Sequence, residues 1–236
     1  MRLQGQTAVV IGASRGIGRA IAEALAREGA RLVIAARSPQ LKQAQRELSL
    51  ISEVHAVRAD AARPAAVRRI FSMARQLFGA PDIVVNSAGM AESQAVAQTS
   101  DALWNETLAS NLTATFLCSR AALELMLPRR HGHIVNIIST AATIPFRGNS
   151  AYSAAKAGAL AFTRVLREEV RGCGIRVTAV LPGPTDTALW ERLWPEAPRE
   201  KMMSPADVAA AVVSALVLPE NAVMEEILLL PVAGSL

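Results

Sequence analysis

An α/β fold is predicted, a doubly wound, mostly parallel sheet covered by helices on both faces in three layers. Three observations predict it. Short apolar and β-branched runs of strand length recur between longer stretches of helical pattern. Those runs are continuously apolar rather than alternating, as strands buried on both faces are. A chain of 236 residues with 51% hydrophobic and 19% charged residues can close one sizeable core. Strict alternation of the two element types implies parallel strands joined by right-handed crossovers.

The elements follow in order. Thr7–Ile11 is the first strand and Gly16–Arg27 the helix after it. Leu32–Ala35 is the second strand, and Ser38-Pro39 supplies a Ser N-cap with Pro at the first helical position, which opens a helix over Gln40–Leu48. Val54–Val57 precedes a helix over Pro64–Phe78, and Ile83–Val85 precedes a long central helix over Asp101–Leu127 that Ser100 caps. Arg129-Arg130-His131-Gly132-His133 reads as a solvated loop into the strand Ile134–Ile138. Tyr152–Arg171 is helical, Ile175–Val180 a strand, and Ser204-Pro205 repeats the capping signal before a helix over Pro205–Leu216. Ile227–Leu230 makes the seventh strand. With no internal repeat and no interdomain linker, residues 1–236 are expected to form one domain.

Composition excludes several classes of function. The chain carries 25 basic and 20 acidic residues, a net charge of +5, and a pI near 10.0. All but Lys42, Lys156 and Lys201 of the basic residues are Arg, and no block of five or six like charges occurs. With aromatics at 4%, there is no basic and aromatic platform for nucleic acid, so no nucleic-acid partner is expected. No apolar run reaches the roughly 18 to 20 residues that span a bilayer, and no signal-peptide pattern precedes the first strand. No membrane association and a cytoplasmic location are therefore expected. Cys118 and Cys173 are too few and too far apart for a disulfide framework or thiolate zinc, and Cys118 reads as core packing. His131 and His133 lack partners at ligand spacing, so no metal site is expected.

The chemistry begins where the first strand ends, at Gly12-Ala13-Ser14-Arg15-Gly16-Ile17-Gly18. A tight turn there needs positive φ, a pyrophosphate must approach backbone unobstructed by Cβ, and the helix N-terminus offers free N–H groups. That spacing predicts dinucleotide binding. An acid gripping a ribose 2′-hydroxyl is usual about 20 residues further on, but this segment reads Ala35-Ala36-Arg37-Ser38. Arg37, helped by Arg15, suits a 2′-phosphate instead, so NADP(H) is expected over NAD. Further along, Tyr152 and Lys156 share a helix face four residues apart, and Tyr152 is the sole tyrosine of the chain. A cation beside a phenol favours the phenolate and draws its pKa toward the working range. Ser139 ends a buried strand at the sheet edge where open α/β proteins bind ligands.

These pieces in this order, Gly12-x-x-x-Gly16-x-Gly18, Asp60, Asn86-Ser87-Ala88-Gly89, Asn111, Ser139, Tyr152-x-x-x-Lys156 and Pro182-Gly183, make the chain resemble a short-chain dehydrogenase/reductase over nearly its whole length. The resemblance implies a Rossmann fold around a seven-stranded sheet. It implies Tyr152 as general acid and Ser139 as donor to the carbonyl oxygen. Lys156 would lower the Tyr152 pKa and hold the nicotinamide ribose, and Asn111 would bend the central helix around a water that relays protons to Lys156. By the same resemblance Gly12, Ser14, Arg15, Gly16, Ile17 and Gly18 hold the pyrophosphate. Asp60 and Ala61 face the adenine, Asn86, Ala88 and Gly89 line the cofactor trough, and Pro182, Gly183, Thr185 and Thr187 lie at the carboxamide end. Asp60 also competes as a helix cap, and Asn111 as a helix-surface amide.

Ile11 and Ser87 depart from the family's usual Thr and Asn, and residues 224–234 replace its glycine-rich end, which leaves the pocket floor open. Residues 185–204 stand where the family carries a substrate lid. Leu189, Trp190, Leu193, Met202 and Ile144-Pro145-Phe146 are expected at an apolar pocket mouth. The expected function is NADPH-dependent reduction of a lipophilic ketone, 3-oxoacyl thioester or small aromatic carbonyl, a small-molecule substrate, by a homotetramer or dimer. A non-catalytic NADP(H)-binding sensor is the alternative, against which the intact Tyr-x-x-x-Lys group argues.

Overall fold

Along β1 (Thr7–Ile11) every residue is buried, and the pleat sends Ala8 and Val10 to one face of the sheet and Val9 and Ile11 to the other. This two-sided burial sets the architecture of the computed structural model, which describes residues 1–234. The other strands are β2 (Arg31–Ala36), β3 (Val54–Arg58), β4 (Ile83–Asn86), β5 (Gly132–Ile137), β6 (Ile175–Pro182) and β7 (Glu226–Leu229). All pair in parallel, in the order β3-β2-β1-β4-β5-β6-β7. The winding reverses between β1 and β4, and there the strand ends open a crevice.

Helices α1 (Gly16–Arg27), α2 (Leu41–Leu48) and α8 (Pro205–Leu216) cover one face, with Ile21, Leu25, Leu48 and Val212 in its core. Helices α3 (Pro64–Phe78), α5 (Ala114–Met126) and α6 (Ser150–Val170) cover the other, around Ile70, Phe71, Leu117 and Leu166. Cys118 packs there, fully buried, its thiol pushed up to about 12 by desolvation. Helix α4 (Asp101–Leu108) precedes α5, and the short α7 (Trp190–Leu193) precedes α8. Ser100 caps α4 through the Leu103 N–H, and Ser204 and Asp207 form a reciprocal capping box at α8.

Three expectations are corrected. The central helix is not continuous, because Ala109–Thr113 forms one π-turn between α4 and α5. Ser38 does not cap α2 directly; its hydroxyl accepts from the Gln40 N–H, closing a turn, and α2 starts at Leu41. His133 is a buried residue of β5, not a loop residue, 2.8 Å from the Thr178 hydroxyl of β6, and burial beside Arg176 pulls its pKa down to about 3. The strand reaches back to Gly132 because pairing with Ile175 and Arg176 on β6 extends it.

Candidate active site

The turn after β1 is shaped by close backbone contacts. A Cβ on Gly12, whose φ is +85°, would lie 2.6 Å from the Ala88 nitrogen, and one on Gly18 would meet the Gly12 carbonyl oxygen. The turn thus presses at once on α1 and on the chain leaving β4. The N-terminus of α1 carries no side-chain cap and no acid in its first turn, so its N–H groups remain available to an anion.

This turn forms one end of a trough of about 410 Å³ along the C-terminal edge of the sheet. Gly12, Ser14, Arg15, Gly16, Ile17, Gly18, Arg37, Asp60, Ala61, Ala88, Gly89, Asn111, Tyr152, Lys156 and Thr187 all line it. Asn86 does not. Its side chain is buried, donating to Ser119 Oγ (3.1 Å) and Asn136 Oδ1 (2.8 Å), while Asn136 donates to Thr163 Oγ1 on α6 (2.9 Å). Asn86 is thus a core tie between β4, β5 and α6, and its neighbour Ser87 lines the trough in its place. Asp60 Oδ1 accepts from the Ala62 N–H at 3.0 Å, while the N-cap of α3 is Arg63, so the carboxylate closes a local turn rather than capping the helix. Arg37 lies 3.6 Å from Glu106, with both side chains about half exposed.

Beyond the trough lies a second cavity of about 340 Å³, lined by Ser139, Phe146, Leu189, Trp190, Leu193 and Trp194 among others. Pro182, Gly183 and Thr185 face this cavity rather than the trough, and Thr187 borders both. Met202, Ile144 and Pro145 stay out of its lining; the neighbouring Met203 is pinned to the base of the 185–204 segment by a bridge to Thr185.

Tyr152 stands where the two cavities meet and lines both. Lys156, one helical turn on, is 5% exposed; its Nζ donates to the Ile137 carbonyl at 2.9 Å and lies 5.7 Å from the Tyr152 ring centre. Burial draws the Lys156 ammonium down to about 8. The Tyr152 phenol moves upward, against the expectation: loss of water outweighs the opposing Ser139 hydroxyl. Ser139 Oγ accepts from the Ala141 N–H at 3.1 Å, which fixes its position beside the phenol.

The π-turn places Asn111 behind this pair. Its Nδ2 donates to Met90 O (2.8 Å) and Thr107 O (2.9 Å), while Oδ1 is buried without a hydrogen-bond partner. A Cβ built on Gly89 would sit 2.5 Å from that Oδ1 and 3.7 Å from Lys156 Nζ, so Gly89 leaves both polar atoms facing one small space. The sequence reading missed the Asn86–Asn136–Thr163 tie and the bridge of Gln94 to Asn149, which sets the loop before α6. Neither has a local signal, since each joins residues remote in sequence.

The described residues include no helix long and apolar enough to cross a membrane and no group of three or more potential metal ligands. The family model "short chain dehydrogenase" matches residues 6–198. Among similar proteins, an uncharacterized oxidoreductase of Staphylococcus aureus is 35% identical over 98% of this chain and 99% of its own. The 3-oxoacyl-(acyl-carrier-protein) reductase FabG of Escherichia coli is 37% identical over 82% of this chain and 79% of its own. Among solved structures, an alcohol dehydrogenase from the archaeon Thermococcus sibiricus complexed with 5-hydroxy-NADP superposes with a TM-score of 0.89, at 30% identity over 96% of this chain and 97% of that one. A metagenomic short-chain oxidoreductase in complex with NADP gives 0.84, at 32% identity over 98% and 99%.

Proposed function

Because the chain belongs to the short-chain dehydrogenase family, we propose that it is an NADPH-dependent reductase that converts a lipophilic ketone or 3-oxoacyl compound to the alcohol. The observation that carries this reading is the place of Tyr152 in the wall between the two cavities, with Ser139 beside it and Lys156 behind it. The likeness to FabG supports the 3-oxoacyl alternative, and the NADP and 5-hydroxy-NADP complexes of the two structural relatives support the cofactor.

The residues present fit such a cofactor. Gly12 and Gly18 let the turn pack tightly on α1 and on the chain leaving β4, which shapes this end of the trough, and the uncapped start of α1 lines it. Arg15 and Arg37 line the end of the trough after β2, whose end carries no acid to grip a ribose hydroxyl, and the Arg37 guanidinium would exchange its exposed pairing with Glu106 for a 2′-phosphate. Asp60 and Ala61 take the adenine end, and Lys156 the nicotinamide ribose. Bound NADPH would supply the hydride.

Tyr152 gives its phenolic proton to the substrate oxygen. Its raised pKa keeps that proton in place at neutral pH, and the Lys156 ammonium offsets the phenolate charge once the proton has left. Ser139 Oγ donates to the same oxygen and steadies its developing charge. Asn111 Oδ1, buried beside Lys156, would accept from a water that relays protons to Lys156.

Residues 185–204 act as the substrate lid of a single domain over 1–236. The Thr185–Met203 bridge, the ion pair of Arg199 with Asp186 and the Trp190 Nε1 bond to Thr185 O (2.9 Å) support a segment folded as a unit on a fixed base. A cytoplasmic dimer or tetramer belongs to the same reading, supported by the exposed Trp104, Phe116 and Val165 on α4, α5 and α6.

Two measurements test the proposal. Tyr152→Phe keeps the ring and removes the acid, so turnover of a carbonyl substrate should fall by about a hundredfold or more while NADPH binds as before. Titration of the wild type should give NADPH binding about tenfold tighter than NADH, with the gap closing in Arg37→Ala. Turnover kept within a few-fold removes Tyr152 from the mechanism, and equal binding of the two cofactors removes the 2′-phosphate assignment.

A further inference from the structure

The cavity beyond Tyr152 is walled by aromatic and aliphatic side chains, yet one charged residue faces it. Among the described residues of its lining, Arg147 alone carries a charge. Some surface arginines grip carboxylates, as Arg164 does with Glu226, Arg171 with Glu225 and Arg199 with Asp186, and others such as Arg15, Arg46 and Arg192 do not; what sets Arg147 apart is its place in the cavity lining. Arg147 meets no carboxylate among the described residues and stands exposed at the cavity mouth.

The backbone beneath Arg147 is held firmly. Arg147 occupies the second position of a turn closed by the Asn149 N–H to Phe146 O bond at 3.1 Å, and Gly148 in the third has φ +81°. Gln94 N donates to Gly148 O at 2.7 Å, and Gln94 and Asn149 form a parallel bridge that ties this turn to the loop after β4. A Cβ at Gly148 would stand 2.5 Å from Ser93 Oγ, a hydroxyl that can rotate away, so it is the positive φ that favours glycine there. Asn149 lines the same cavity, and its Oδ1 is buried with no hydrogen-bond partner.

We infer that Arg147 selects carbonyl substrates bearing an oxyanion, with the carbonyl at Ser139 and Tyr152, an apolar body against Phe146 and Trp190, and a carboxylate or phosphate at Arg147. The inference rests on the reductase reading of the Tyr152 site. An unpaired guanidinium on a fixed turn gives a charge-assisted bond without giving up a partner inside the protein. Arg147 is a specificity residue here and takes no part in the hydride or proton steps.

The test compares levulinate and phenylpyruvate with their methyl esters, following NADPH oxidation by wild type, Arg147→Gln and Arg147→Lys. Wild type should favour at least one acid over its ester by about tenfold in kcat/KM, with the difference in KM. Arg147→Gln should erase that preference, Arg147→Lys should recover part of it, and the NADPH dissociation constant should stay the same in all three. Equal use of acid and ester by wild type, or a preference that survives in Arg147→Gln, overturns the inference. If NADPH binds but no carbonyl is reduced, the reductase reading fails. Quenching of the Trp190 and Trp194 fluorescence by the same compounds then decides the anion site separately. Tighter binding of the acids that is lost in Arg147→Gln upholds it, and equal binding of acids and esters overturns it.

Discussion

The trough and the apolar cavity lie on opposite sides of Tyr152, yet they are built by different means. The trough is made of the chain just past β1, β2, β3 and β4, and its walls are fixed by backbone bonds such as Gly12 N to Ala35 O (2.7 Å), Ala59 N to Ala36 O (3.0 Å) and Ser87 N to Ile11 O (3.0 Å). The cavity is made of the long connections after β5 and β6, pinned by the bridges Gln94–Asn149 and Thr185–Met203. A site shaped by backbone tolerates little change, whereas one shaped by loop side chains can be rebuilt without disturbing the sheet. The first suits a ligand common to many relatives and the second a substrate particular to one.

The largest effect should follow from adding a single methyl group on each side. In Gly18→Ala the new Cβ meets the Gly12 carbonyl oxygen, and neither backbone can move without opening the turn on α1. We expect a loss of about 3 kcal/mol in urea unfolding and cofactor binding weakened by about tenfold or more. In Gly183→Ala, on the cavity side, the nearest atom is the end of the Leu230 side chain at 2.8 Å, which can turn away. That variant should lose about 1 kcal/mol and keep its cofactor affinity. Equal losses in the two variants would break the contrast between backbone-built and side-chain-built walls.

The same contrast explains what was legible in the sequence. Continuous apolar runs located all seven strands, and the glycine spacing located the trough, because both express local backbone requirements. Asn86 was misplaced because its partners, Ser119 and Asn136, lie 33 and 50 residues away and no local pattern announces them. His133 was misplaced for a like reason, since Thr178 of β6 is what buries it. The π-turn at Asn111 depends on a bond to Met90 O, 21 residues upstream, and helical periodicity over Asp101–Leu127 gives no hint of it. Arg147 stands right after Ile144-Pro145-Phe146, near the expected active-site mouth, but the sequence assigns it no role. Its isolation in an apolar lining is a property of five separate segments brought together.

A pH profile sharpens the comparison at the boundary residue pair. Lys156 is held down to about 8 by burial while Tyr152 is held up, so as pH rises it is the lysine that gives up its proton first. With the cation needed for the trough side of the reaction, kcat/KM for NADPH should fall about tenfold per unit above pH 8. The stability term runs the other way. Between about 8 and the unfolded value of 10.5 the folded chain has shed a proton that the unfolded chain keeps, so this group makes the fold more stable as pH rises through that window. Activity and thermal stability should therefore part company above pH 8. A profile in which both decline together from pH 8 would point to general unfolding and not to Lys156.

The smallest expected effect lies in the cavity wall. Trp190 lines the apolar side only, and its Nε1 bond to Thr185 O ties the segment that covers the cavity to the chain just past β6. Trp190→Ala removes a large apolar surface from the substrate side and nothing from the trough. Its KM for a lipophilic carbonyl should rise by about tenfold, with kcat changed less and the NADPH dissociation constant within about twofold of wild type. Trp190→Phe, which keeps an aromatic body but loses the bond to Thr185, separates the two contributions. If wall area decides KM, phenylalanine restores most of the affinity; if the tie to Thr185 decides it, phenylalanine behaves like alanine. A change in NADPH affinity in either variant would show that Trp190 reaches across Tyr152, and the division of labour between the two cavities would have to be redrawn.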